Sequence, residues 1–115
     1  MIKYSEAFRK DQVCNLMGGN GEIKREHFME EEDFCGHGRL FAKHILKPGF
    51  SIGFHRHEGE QESYYILKGE ALYNDNGNEE IIKDGDFTLC KSGEGHSIKN
   101  IGKEDLEFIG LIMKS

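Results

Sequence analysis

From residue 40 to the end of the chain, apolar and polar residues alternate in short runs. This period of two predicts strands with one buried and one solvated face. The runs are "LFAKHIL" at 40–46, "FSIGFHRH" at 50–57, "ESYYILKG" at 62–69, "EALYNDNGNEEII" at 70–82, "FTLCK" at 87–91, "HSIKNIG" at 96–102 and "LEFIGLIM" at 106–113. Turn chemistry separates them: "KPG" with the single proline, "EGEQ", "KDGD", "SGEG" and a polar turn at 102–105. Asn76-Gly77 predicts a hairpin, because both central residues of a type I′ turn need positive φ. No stretch after residue 40 keeps a helical period. Strands at this spacing predict an all-β sandwich or barrel.

Residues 1–39 are read as a short N-terminal extension of the same unit as the 40–115 barrel. Ser5 is expected to cap a short helix through "EAFRKDQV", "EIKREHFM" to form a strand, and "EEED" at 30–33 to make a solvated turn or one helical turn. "GGNG" at 18–21 reads as a turn, since no lysine follows it as a phosphate loop requires. Phe41, Phe87, Leu89, Phe108, Ile109, Leu111 and Ile112 are assigned to the core or to dimer packing.

With 115 residues, 37% hydrophobic and 31% charged, the composition is that of one soluble globular domain. No apolar run approaches the length of a membrane span, and the N-terminus lacks the apolar stretch of a secretory leader. The net charge is −6 and the 15 lysines and arginines are scattered, which disfavours a nucleic-acid partner. Cys14, Cys35 and Cys90 are odd in number and follow no CxxC spacing. They are read as reduced thiols of a cytoplasmic protein.

Candidate chemistry concentrates in "GFSIGFHRHEGEQESYYILKG", 49–69. Alternation places His55 and His57 on one face of a strand beside the small Ser51 and Gly53, with Phe50, Ile52 and Phe54 on the other. After the loop, Glu62, Tyr64 and Ile66 share a face of the returning strand, and Glu62 comes back opposite the histidines. His96 opens "HSIKN" directly after a glycine-rich loop. Three imidazoles and a carboxylate suit one divalent transition metal: Zn, Ni, Mn, Fe or Co. His27, His37 and His44 pair with no other ligand type and are read as surface or hydrogen-bonded core residues. Cys90, by alternation with Leu89, is expected to face away from the site.

These residues resemble the two cupin motifs. The first is a glycine, five residues, HxH, three or four residues, glutamate, six residues and a glycine, met by Gly49, His55, His57, Glu62 and Gly69. The second is met by Gly85, Gly93, His96 and Asn100, with Lys91 where the family usually has proline. A 15-residue spacer, Glu70 to Asp84, separates them. The resemblance implies a cupin double-stranded β-helix (a jelly-roll barrel) in which His55, His57, Glu62 and His96 bind one metal. Tyr64, Ile66, Ile98 and Asn100 would lie nearby, with Gln61 and Glu60 at the mouth or behind the ligands.

Four protein ligands on an octahedral ion leave two positions for a substrate or ligand. The small single-domain cupins that this chain is similar to are grouped with mannose-6-phosphate-isomerase-like proteins. The resemblance thus implies a metal-dependent enzyme of isomerase or lyase type acting on a sugar-like or hydroxy/keto-acid metabolite. Tyr64 would be an acid or hydrogen-bond donor, and Glu60 or a water the base. A metal-dependent dioxygenase and a non-catalytic small-molecule or metal-binding module remain alternatives. A homodimer is expected, with the Phe50, Ile52 and Phe54 face and the N-terminal segment as candidate contacts.

Overall fold

The alternating runs pair into two antiparallel sheets. The computed structural model describes residues 1–115 as ten strands: β1 (Arg9–Cys14), β2 (Glu22–His27), β3 (Gly38–Leu46), β4 (Ser51–Arg56), β5 (Glu60–Lys68), β6 (Glu70–Asp75), β7 (Asn78–Lys83), β8 (Phe87–Cys90), β9 (Gly95–Asn100) and β10 (Leu106–Lys114). One sheet runs β1-β2-β3-β10-β5-β8, the other β4-β9-β6-β7. They face each other as the jelly-roll barrel that the motifs imply. In β3, every second residue from Gly38 to Leu46 is buried. β10 repeats the pattern with Leu106, Phe108, Gly110 and Ile112, so the two strands bury one continuous face.

The core between the sheets is Ile23, Leu46, Ile52, Tyr64, Ile66, Ala71, Tyr73, Ile98, Leu106 and Phe108. At Asn76 and Gly77, φ is 52° and 105°, and Asp75 pairs with Asn78 across the turn. This is the hairpin that the dipeptide predicts. Asn100 pins the far end of the barrel: its Nδ2 donates to the Leu46 and Glu104 carbonyls at 2.8 Å each, and its Oδ1 accepts from the Gly102 N–H. No helix is long and apolar enough to cross a membrane.

The N-terminal segment departs from expectation at one point and joins the barrel at two. Ser5–Ala7 is a single 3-10 turn, and the residues expected to continue it as a helix form β1. Sheet pairing outcompetes a short helix there, because each residue from Arg9 to Cys14 has a partner on β2. β2 in turn pairs with β3 from Ile23↔Leu46 to His27↔Ala42, so residues 9–27 add two strands to the barrel sheet. The loop from Leu16 to Gly19 then crosses to the other sheet. A Cβ on Gly53 would run into the Met17 carbonyl oxygen, and one on Gly19 into that of Ser51. Glycine at these positions lets the loop lie directly on β4.

That contact coincides with a β-bulge. Ser51 pairs with Lys99 and Ile52 with Ile98, but the next pair is His55 with His96. Gly53 and Phe54 together therefore oppose Ser97, and the extra residue resets the alternation. Ile52, expected on the outer face with Phe54, is buried in the core. Phe54 stays outside with Arg56 over its ring. Phe87 and Leu89 of the edge strand β8 likewise lie on the outer face, exposed, whereas Cys90 is buried. The expectation that Cys90 faces away is corrected by register: Cys90 pairs with Glu62, and directly paired residues of an antiparallel ladder share a face.

Candidate metal centre

Three strands and one loop bring His55, His57, Glu62 and His96 together, with one donor atom from each lying within 4.8 Å of all the others. His55 ends β4 opposite His96 on β9, and Glu62 enters from β5 on the facing sheet. His57 lies just beyond β4, where its backbone is clamped by the 91–94 loop. Its carbonyl accepts from the Gly93 N–H at 2.6 Å, and its N–H donates to the Glu94 carbonyl at 3.1 Å. Gly93 has φ 89°, a left-handed conformation that a side chain would strain. In the same turn the Lys91 N–H donates to Glu94 Oε1 at 2.9 Å. Lysine in the usual proline position thus supplies a donor that proline lacks.

The ring nitrogens turned away from the centre all have partners. His55 Nδ1 donates to the Gly53 carbonyl at 2.8 Å, and His57 Nδ1 donates to Glu60 at 3.1 Å. His96 Nδ1 lies 2.7 Å from the Tyr73 hydroxyl. These bonds orient the imidazoles so that their Nε2 atoms converge. Nε2 of His57 is 3.2 Å from that of His96, His96 is 3.2 Å from His55, and Glu62 Oε1 lies 3.1 Å from His57 and 3.0 Å from His96. Bonds of about 2.1 Å to a single ion would set donors at right angles about 3.0 Å apart. The spacing and the borderline N/O chemistry fit one divalent transition ion, and the group could hold one.

Electrostatics follows from this packing. Burial pushes the Glu62 carboxyl up, but the facing imidazoles of His55, His57 and His96 outweigh it and hold the group well below the ordinary carboxylate range. The bond to Glu62 raises His57, while burial lowers His96. Burial, then the neighbouring Glu62 charge, pushes the Tyr64 phenol far up. Its hydroxyl donates to Glu62 Oε1 at 3.2 Å, and its ring stacks on His96 at 5.0 Å. Glu60 accepts from Arg39 Nε and Nη2 at 2.7 Å each, as well as from His57. The Arg39 bonds hold its carboxyl below the usual range. Glu60 is thus behind His57, and the cavity beside the cluster is lined by other residues.

That cavity, of about 80 Å³, is bordered by Leu16, Met17, Arg25, Arg39, Leu40, His44, Ile52, His55, His57, Glu62, Tyr64 and Ile112. It has room for a molecule of a few heavy atoms. Of the residues expected near the cluster, Tyr64 borders it, Ile66 and Ile98 pack in the core, and Asn100 holds a distant loop. Arg25, Arg39, His44, Leu16 and Met17 were not expected at the site from the sequence. His44 falls in phase with the buried Leu40, Ala42 and Leu46 of β3, a signal available from alternation alone. Arg25 reaches the cavity from β2, held by Asp11 through bonds of 2.9 Å from Nε and Nη2. Those bonds lower Asp11 to about 2. Leu16 and Met17 come from the loop lying on Gly53, a contact with no local sequence signature.

A cupin domain family model matches residues 42–112. The chain is 44% identical over 113 residues to a Thermotoga maritima protein named oxalate-binding protein, covering 98% of this chain and 93% of that one. A crystal structure described as a predicted oxalate decarboxylase, also from Thermotoga maritima, superposes with a TM-score of 0.95 at 43% identity and covers both chains completely. The polyketide cyclase of Streptomyces resistomycificus, at 16% identity, shares the fold with a TM-score of 0.77 over 99% of this chain and 80% of that one.

Proposed function

The chain belongs to the cupin family, and from that premise we propose that it is a mononuclear metal protein that binds a small carboxylic acid of the oxalate class. His55, His57, Glu62 and His96 hold the ion. Tyr64 and Glu60 act as positioning residues, Tyr64 on the Glu62 carboxylate and Glu60 on His57 Nδ1. A divalent ion with open positions supplies a Lewis acid for a chelating carboxylate. Arg25 contributes positive charge on the cavity wall, and Leu16, Leu40, Ile52 and Ile112 exclude water.

The observation that carries this reading is the convergence of three imidazole nitrogens and a carboxylate oxygen at a cavity of about 80 Å³. That space favours a two- or three-carbon acid over a sugar-like substrate. The name of the Thermotoga maritima relative, an oxalate-binding protein, agrees in ligand class. Lyase-type turnover of the bound acid is the enzymatic form of the same proposal.

Elemental analysis of untagged protein beside a His55→Ala/His96→Ala variant, followed by calorimetric titration with oxalate, tests it. About one transition-metal ion per chain, lost in the variant together with oxalate binding, is expected. Metal absent from both proteins, or oxalate binding that survives metal removal, overturns it. Formate released from oxalate by the metal-loaded protein would establish turnover.

A homodimer in the cytoplasm completes the proposal. Exposed Tyr65, Leu67, Phe87 and Leu89 share the outer face of β5 and β8, an apolar patch that a second copy would cover. Unpaired Cys14 and Cys35 on the surface suit a reducing compartment. A light-scattering mass near 13.1 kDa would refute the dimer.

A further inference from the structure

One buried imidazole borders the cavity without belonging to the metal cluster. His44, 2% exposed, lies parallel to Phe108 with ring centroids 4.9 Å apart and planes 6° apart. On another side, Gly110 gives it room: a Cβ there would come within 2.7 Å of His44 Cε1. The ring is therefore held in place by packing. Its Nδ1 is 3.1 Å from the Ala42 carbonyl oxygen. A carbonyl only accepts, so Nδ1 carries the proton and Nε2 presents a lone pair. Nδ1 makes the only hydrogen bond of the ring, which leaves Nε2 without a protein partner, and the residue lines the cavity. Burial lowers His44 to about 4, in keeping with an uncharged ring.

An unpaired acceptor on a cavity wall discriminates between ligands. It gains a hydrogen bond from a hydroxyl or an undissociated carboxyl, hydrogen oxalate included, but it meets a carbonyl or carboxylate oxygen lone pair to lone pair. Resting on the carboxylic-acid reading above, we propose that His44 sets the specificity of the cavity: its Nε2 accepts a hydrogen bond from the ligand, so that a 2-hydroxy acid is taken in preference to the matching 2-oxo acid. Arg25, whose Nη1 is left over from its pair with Asp11, and Arg39 are the cations bordering the cavity; Arg25 is the one taken to meet the ligand's carboxylate, while His44 reads the group beside that carboxylate.

Lactate and pyruvate differ only at that second carbon, which makes them the probes. Calorimetric titration of the protein with its bound metal is expected to show lactate bound about tenfold more tightly than pyruvate. In His44→Leu, checked for unchanged metal content and melting temperature, the ratio is expected to fall to within about threefold of unity. A ratio that is the same in both proteins, or a wild type without preference, overturns the inference. Oxalate is titrated alongside. Oxalate binding without a lactate preference removes the role of His44 and leaves the function standing; failure of all three acids to bind removes both. Should His44→Leu not fold, the ¹⁵N resonance of His44 Nε2 in zinc-loaded wild-type protein decides. It is expected to shift on adding lactate and to stay in place with pyruvate, and a resonance unmoved by lactate overturns the inference.

Discussion

Glu60→Gln separates a positioning role from a catalytic one. Glu60 accepts three hydrogen bonds, one from His57 Nδ1 at 3.1 Å and two from Arg39 at 2.7 Å. The substitution keeps the shape and removes the charge, so the bond that orients His57 and raises its basicity weakens. Loss of such an outer partner typically costs about 10- to 100-fold in metal affinity, equivalent to about 1.4–2.7 kcal/mol. The Arg39 side chain is 52% exposed, and an ion pair of that kind contributes at most about 1 kcal/mol. Most of the loss must therefore act through His57, and Arg39→Gln is expected to change metal affinity less than about fivefold. Competition with a chromophoric chelator, in the absence of any organic ligand, measures both variants. A general base acts only on a bound substrate and would leave this number untouched. Metal affinity within about threefold of wild type in Glu60→Gln would refute the positioning argument and return Glu60 to the catalytic candidates.

Gly53→Ala is expected to push the Leu16–Gly19 loop off β4, because its Cβ would meet the Met17 carbonyl. Overpacking of this kind costs about 1–3 kcal/mol, and calorimetry should show a melting temperature lower by several degrees. Stability should also fall at low pH through Asp11. The Arg25 bonds lower its folded value from 3.8 to about 2, so its contribution is complete above about pH 4 and is lost as the pH falls through about 2. The shift corresponds to about 2 kcal/mol, and urea midpoints of wild type and Asp11→Asn should converge across that interval. Burial, followed by the Glu94 charge, raises the Cys90 thiol to about 11. A disulfide reagent at neutral pH should therefore titrate the exposed Cys14 and Cys35 in the native protein and reach Cys90 only after unfolding.

How far alternation could be read depended on whether the strand was regular. β5 and β9 keep a strict period of two beside the cluster, so Glu62, Tyr64 and His96 fall on the interior face that counting predicts. β4 does not: the extra residue at Gly53–Phe54 turns Ile52 inward along with His55. A bulge is stabilised by what packs on it, here a loop more than thirty residues earlier in the chain. Cys90 was misplaced because its face is set by pairing with Glu62 on β5.

The sequence by itself determined the strands and turns from residue 40 onward and the four converging donors. Strand period, positive-φ turns and the HxH spacing are consequences of local backbone geometry, and the two motifs lie within single hairpin-sized stretches. Tertiary structure decided what surrounds the donors, although alternation in β3 already turns His44 inward. Arg25 and His44 belong to neighbouring strands and are direct partners in the sheet, while Leu16 and Met17 arrive on a loop that crosses between sheets. Long-range pairing and close packing bring these groups to one cavity, and no local pattern of the chain encodes a contact whose two sides are far apart in sequence.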